Sequence, residues 1–138
     1  MRELPRQLTV DELAELFSGR TAFVERLASL EDPLRRAPEV ARELTDDERF
    51  EALAAHPRIG EPSPEQRGED PDVLAELAAL NRAYEERFGF RFVVFVNRRS
   101  RAELVPVLRA RLERKREEEL ATGVSELIAI AKDRWLSR

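Results

Sequence analysis

The clearest indication of the fold is the stretch SRAELVPVLRARLERKREEELATGVSELIAIAKDRW, residues 100–135. Apolar residues recur in its first half at the three- and four-residue spacings of a helix with one apolar face. They are Leu104, Val107, Leu108 and Leu112. A similar stripe follows in the second half, so the stretch predicts two helices, at about residues 100–116 and 118–136.

Capping boxes predict where helices begin. In this motif a Ser or Thr and the Glu or Gln three residues later each bond the other's backbone N–H. The pairs are Thr9/Glu12, Thr45/Glu48, Ser63/Gln66 and Ser100/Glu103. With the apolar spacing they predict further helices at about 9–18, 20–30, 46–56 and 71–88, a short turn near 34–43 and another turn after Ser63.

One run departs from the helical pattern. After Gly89, residues 90–96 read FRFVVFV, a β-branched and aromatic run typical of an extended, buried segment. It has no partner strand elsewhere, so no sheet is expected. The predicted fold class is all-α: a single domain over residues 1–138, forming a helical bundle of about six to eight helices with one short extended buried segment at about 90–96.

Composition agrees with this class and excludes several functions. The chain has 138 residues, 38% of them charged and 42% apolar, with five glycines. It has no cysteine and one histidine, which argues against disulfides, thiol catalysis and a transition-metal site. No apolar run approaches the roughly 20 residues that cross a bilayer, and no signal peptide opens the chain, so a cytoplasmic protein without membrane contact is expected.

The charge distribution gives no sign of nucleic-acid binding. The net charge is −4, so no overall positive field would attract a polyanion. A basic run at residues 109–116 is answered by Glu113 and by the three glutamates at 117–119. This run is interpreted as a solvated helix face.

The chain's only histidine lies in the segment HPRIG, residues 56–60, close before SPEQ, residues 63–66. Histidine titrates near neutral pH, so His56 facing Glu65 across a loop would form an acid/base pair. A structural interpretation also stands: Pro57 stops the preceding helix, and His56 would then be its C-terminal cap. Ser63 and Gln66 likewise suit a helix start without any function.

A charged residue interrupts the apolar stripe of the last helix. Leu120, Val124, Leu127 and Ala131 follow helical spacing, and the next position is Arg134. Because an unpaired buried charge is costly, Arg134 either reaches solvent past the helix end or meets an anion.

Five motifs in this order resemble the 2-oxo-4-hydroxy-4-carboxy-5-ureidoimidazoline (OHCU) decarboxylase family, from about residue 45 to the end. They are HPRIG, SPEQ, an LN-x-x-Y segment with Asn81 and Tyr84, the FGF-x-F segment at 88–92, and the arginine in IAIAKDRW. Arg91 stands where the family often has proline.

The resemblance implies an all-helical enzyme of urate breakdown that makes (S)-allantoin without a metal or an organic cofactor. His56 and Glu65 would be catalytic, and the partner would be the small ureidoimidazoline substrate. The implied substrate-binding residues are Pro57, Ser63, Gln66, Phe92, Val93, Val94, Phe95 and Arg134. The resemblance also suggests a homodimer.

Two other classes stay open. One is a cofactor-free paralogue that acts on a related acidic heterocycle. The other is a non-catalytic helical interaction module, in which His56 ends one helix and SPEQ begins the next.

Overall fold

The computed structural model describes residues 3–59 and 70–137. These residues form seven helices and no strand, which confirms the all-α class and the expected number of helices. The helices are α1 Val10–Leu16, α2 Ala22–Ala28, α3 Pro33–Glu43, α4 Asp46–Ala55, α5 Pro71–Phe88, α6 Arg101–Leu112 and α7 Arg116–Leu136.

Three of the four predicted capping boxes are present. The side chains of Thr9, Thr45 and Ser100 each accept a hydrogen bond from the backbone N–H three residues later, and the glutamate there bonds back. Each box satisfies two backbone donors that a helix start leaves open. The fourth box and the turn predicted after Ser63 lie outside the described residues.

The short turn predicted near 34–43 is wrong, because this region is the eleven-residue helix α3. Pro33 stands in the first turn, where a missing N–H costs nothing. Leu34, Ala37 and Val40 are buried at three-residue spacing, so core packing outweighs the unfavourable Pro38 inside the helix.

The predicted boundary between the last two helices is also displaced. Helix α6 ends at Leu112 rather than at 116, and α7 already begins at Arg116. No glycine or proline marks the break in the sequence. The break allows Arg111 of α6 and Glu119 of α7 to form a buried ion pair at 2.7 Å, whereas one continuous helix would hold residues eight positions apart about 12 Å from each other.

The extended segment after α5 is confirmed. Gly89 ends α5 at a φ of 81°, in the left-handed region that glycine enters without steric cost. Phe90, Phe92, Val93 and Val94 are buried, whereas Phe95 and Val96 are half-buried. The segment therefore runs through the core as a connection between α5 and α6.

Helix α7 is the central element of the packing. It contacts α1, α3 and α4, while α5 pairs with α6 and α2 contacts its neighbours α1, α3 and α4. This arrangement brings the ends of α1, α4 and α7 together. Within the described part of the chain, no helix has the length and apolar content needed to cross a membrane.

Candidate active site

His56 lies at the end of α4. Its backbone N–H donates to Leu53 O at 3.2 Å, and its extended backbone, at φ −80° and ψ 137°, leads into the exposed Pro57. The helix-cap interpretation is therefore correct as far as the backbone goes. The half-buried imidazole is left to make other contacts.

The turn between α1 and α2 brings a hydroxyl to the imidazole. Ser18 Oγ lies 3.5 Å from His56 Nδ1, and Ser18 adopts a φ of 67°. The turn approaches α4 so closely that a Cβ on Gly19 would lie 3.0 Å from the Ala55 Cβ. A glycine at this position therefore permits the contact between the turn and the end of α4.

Arg134 reaches the same turn from α7. Its Nη1 donates to Ser18 Oγ at 2.7 Å and to Leu16 O at 2.9 Å. The half-buried guanidinium is thus directed toward the end of α1, and a single serine separates it from His56. The structure thus brings Arg134 and His56 to the same turn.

Arg91 fastens the end of α4. Its Nη1 donates to Ala54 O at 2.6 Å and to His56 O at 2.7 Å, satisfying carbonyls that the helix end leaves open. Its Nε lies 4.0 Å from Glu85 Oε1. The sequence marked Arg91 only as a replacement for proline, and the contact with His56 was not predicted.

Helix α5 holds the loop that follows His56. Asn81 Nδ2 donates to Ile59 O at 2.8 Å, and Arg58 makes a two-pronged ion pair with Glu85 at 3.0 and 3.1 Å. This gives the asparagine of the LN-x-x-Y motif a structural role. It fixes the loop at the point where the chain enters the SPEQ region.

The surroundings of His56 favour its neutral form. Burial, and next the positive charges of Arg134 and Arg91, together lower the pKa of His56 to about 4. The imidazole is therefore uncharged at neutral pH. It can then act as a hydrogen-bond donor at one ring nitrogen and an acceptor at the other.

Several backbone groups of the extended segment are already bonded within the protein. Val93 O accepts from Arg111 Nη1 at 2.7 Å. Phe95 N donates to Glu126 Oε1 at 3.3 Å, and Phe95 O accepts from Arg99 Nη2 at 2.6 Å. Fewer backbone groups of Phe92 to Phe95, the segment predicted to bind substrate, therefore remain for contact with the substrate.

The segment is held by a buried polar network. Glu119 is fully buried and accepts from Tyr84 Oη at 2.6 Å, from Arg111 Nε at 2.7 Å and from Arg114 Nη1 at 2.9 Å. Burial, and next the hydrogen bond to Glu119, raise the pKa of Tyr84. The interpretation of the basic run at residues 109–116 as a solvated face is thus wrong for Arg111, which pairs with Glu119 in the core.

The remaining predicted site residues, Ser63, Glu65 and Gln66, lie outside the described residues. Among those described, no group of three or more His, Asp or Glu side chains could hold a metal ion. A cavity of about 700 Å³ between α3, α4 and α7 contains none of the predicted site residues. We place the candidate site at His56, where the polar contacts converge.

A family model described as OHCU decarboxylase matches residues 2–136. The chain belongs to the OHCU decarboxylase family. It is 28% identical over 147 residues to 2-oxo-4-hydroxy-4-carboxy-5-ureidoimidazoline decarboxylase of Haloferax volcanii, covering 94% of this chain and 88% of that protein. It is 26% identical over 152 residues to the uric acid degradation bifunctional protein PucL of Bacillus subtilis, covering 97% of this chain but only 31% of PucL.

The fold has a close counterpart among solved structures. A crystal structure of OHCU decarboxylase in the presence of (S)-allantoin superimposes with a TM-score of 0.79, covering 91% of this chain and 96% of that chain. The two sequences are 24% identical, so the likeness establishes the fold alone. The chain spans about a third of the length of PucL.

Proposed function

We propose that this chain catalyses the decarboxylation of OHCU to (S)-allantoin in urate catabolism, without a cofactor. Family membership supports the reaction class. The observation that carries the proposal is the convergence of the only imidazole in the chain with the arginine of the terminal helix, joined through Ser18.

Charge supports an anionic substrate at this site. Arg91 and Arg134 are close enough to lower the pKa of His56, so they place positive potential at the imidazole. A bound carboxylate would offset these charges and raise the pKa of His56, since an opposite charge favours the protonated ring. The proton donor would therefore form when the substrate binds.

The proposed step breaks the bond between the hydroxyl-bearing carbon and the carboxylate. The electron pair of that bond moves into the ring's C=N bond as CO2 leaves, so the ring nitrogen takes up a proton and a planar enol remains. The enol hydroxyl then loses its proton and becomes the carbonyl of allantoin, as the ring carbon that bears the ureido group gains a proton. Delivery of this proton by His56 from one face would fix the product's hand. The protein needs to orient the ring, move the proton and exclude water.

The other residues would bind and orient the substrate. An ionised Glu65 would accept from ring or ureido N–H groups, and Arg134 would hold an oxygen by a forked hydrogen bond. Arg134 is assigned to orientation because tight binding of the departing carboxylate would oppose its loss. Contacts from Pro57, Ser63, Gln66 and the remaining backbone groups of Phe92 to Phe95 would complete the proposed site.

Replacement of His56 tests the proposal. His56→Asn removes the titrating ring and places the oxygen of the Asn side chain, a hydrogen-bond acceptor, near the Nδ1 position. Turnover of freshly generated substrate should fall by about 10²- to 10⁴-fold, the usual contribution of general acid/base catalysis. The circular dichroism spectrum should stay that of the wild type. Near wild-type turnover would leave His56 as a helix cap only.

Arg134 provides a second test. A point charge cannot reproduce a planar fork, so Arg134→Lys should impair kcat/KM nearly as much as Arg134→Ala. Because Arg134 also bonds Leu16 O, unfolding curves should accompany the kinetics. Wild-type kcat/KM in both variants would remove Arg134 from the site.

The proposal extends to the organisation of the protein. Residues 1–138 would form one domain that works in the cytoplasm as a homodimer, as the family resemblance suggests. Light scattering coupled to size-exclusion chromatography tests the dimer, and elution at the mass of one 15.9 kDa chain would contradict it.

A further inference from the structure

The hydroxyl of Ser18 connects two groups of the proposed site. Arg134 Nη1 lies 2.7 Å from Ser18 Oγ, and His56 Nδ1 lies 3.5 Å from the same oxygen. The second distance is at the long end of hydrogen bonding, and catalytic hydrogen bonds commonly shorten when the ligand binds. None of the motifs in the sequence includes Ser18.

The direction of these bonds follows from the available hydrogens. A guanidinium only donates, so Ser18 Oγ must accept from Arg134. The hydroxyl hydrogen is then directed away from Arg134, and His56 Nδ1 lies within its reach. A neutral imidazole that accepts at Nδ1 carries its proton at Nε2.

We propose that Ser18 is a positioning residue, which holds the His56 ring with Nδ1 as the acceptor so that Nε2 exchanges protons with the substrate. This inference rests on the proposed decarboxylase function and names the ring nitrogen that would serve it. Ser18 acts through His56 and is not itself a catalytic residue.

The backbone of the turn supports this role. Ser18 has a φ of 67°, a left-handed conformation that is unfavourable for a residue with a Cβ and tends to occur at functional sites. The next residue, Gly19, bonds back to Ala14 O at 2.9 Å and would meet Ala55 Cβ at 3.0 Å if it carried a Cβ. The turn is thus built to lie against the end of α4 with the serine hydroxyl at the imidazole.

Nitrogen NMR of the imidazole tests the inference without substrate. His56 is the only histidine, so long-range ¹H–¹⁵N spectra contain a single ring to assign. The wild type at pH 7 should show a protonated Nε2 and an unprotonated Nδ1 that accepts a hydrogen bond. Ser18→Gly relieves the backbone strain and Ser18→Ala keeps it. In both variants the ¹⁵N chemical shift of Nδ1 should move toward that of a nitrogen without a hydrogen bond.

A matched control removes a hydroxyl elsewhere. Ser29 Oγ bonds Arg26 O at the exposed end of α2, so Ser29→Ala should leave the imidazole spectrum unchanged. A wild-type ring protonated at Nδ1, or one Nδ1 shift common to the wild type and both Ser18 variants, would overturn the inference.

Kinetics then separate this inference from the proposed function. Both Ser18 variants should lower kcat by about 10-fold, the value of one hydrogen bond, while KM changes little. Wild-type kcat in both variants would refute the positioning role even if the enzyme decarboxylates OHCU. An inactive wild type would instead refute the proposed function, and the spectra would still decide whether Ser18 holds the ring.

Discussion

The low pKa of His56 predicts a specific loss of stability in acid. The ring has a pKa of about 4 in the folded protein, against an ordinary value of 6.5. Between these values the unfolded chain binds a proton that the folded chain does not. Stability therefore falls as the pH decreases from 6.5 toward 4, and the full contribution of the neutral ring is present only above 6.5.

The size of the effect follows from the two pKa values. For one group titrating at about 4 when folded and at 6.5 when unfolded, acidification from pH 7 to pH 5 costs up to about 2 kcal/mol of unfolding free energy. His56→Asn removes this titration and keeps an acceptor for Ser18. Between pH 7 and pH 5 the unfolding free energy of the wild type should therefore fall by up to about 2 kcal/mol more than that of the variant.

Urea unfolding at pH 7 and pH 5 measures the difference. Carboxylates titrate in both proteins, so their contribution cancels when the two losses are compared. NMR titration of the single imidazole measures the folded pKa directly. Equal losses in the two proteins, or a measured folded pKa near 6.5, would refute the argument that burial and the two arginines hold His56 neutral.

Three further predictions concern the core, the end of α5 and metal. Glu119→Ala should lower the free energy of unfolding in urea by about 3–5 kcal/mol, because it leaves the buried charge of Arg111 without its partner. Glu118 is exposed, so Glu118→Ala should change the same quantity by less than about 0.5 kcal/mol. A comparable effect in the two variants would contradict the buried network. Gly89→Ala should lower the free energy of unfolding, measured by thermal unfolding, by about 1 kcal/mol, because a φ of 81° strains any residue with a Cβ. The added Cβ would not clash, since its nearest neighbour, Arg116 Nη2, lies 3.9 Å away. An unchanged stability would contradict this prediction. Decarboxylation should survive EDTA, given a chain with no Cys and one His, and activity lost to EDTA and restored by one ion would contradict it.

Features encoded within a few neighbouring residues could be predicted from the sequence. The capping boxes at Thr9, Thr45 and Ser100 depend on contacts three residues apart, and all three form. The position of Arg134 on the apolar stripe of the last helix could also be predicted, because helical spacing alone places it beside Ala131.

Features that depend on distant parts of the chain could not be predicted. Glu119 is fully buried because Tyr84 and Arg111 lie around it in the fold, whereas in the sequence it is one glutamate in a charged run. Ser18 reaches His56 only because the turn after α1 lies against the end of α4. The turn predicted near 34–43 is wrong for the same reason, because burial of one face makes this region the helix α3 despite Pro38 inside it.

If His56 delivers the proton from one face, the decarboxylation of OHCU by this chain yields one enantiomer of allantoin. The most direct measurement is the circular dichroism of allantoin formed from freshly oxidised urate, with the wild type, with His56→Asn and without protein. The wild type should give an excess of (S)-allantoin, and the other two samples should give racemic product. Racemic product with the wild type, or an undiminished (S) excess with His56→Asn, would contradict it.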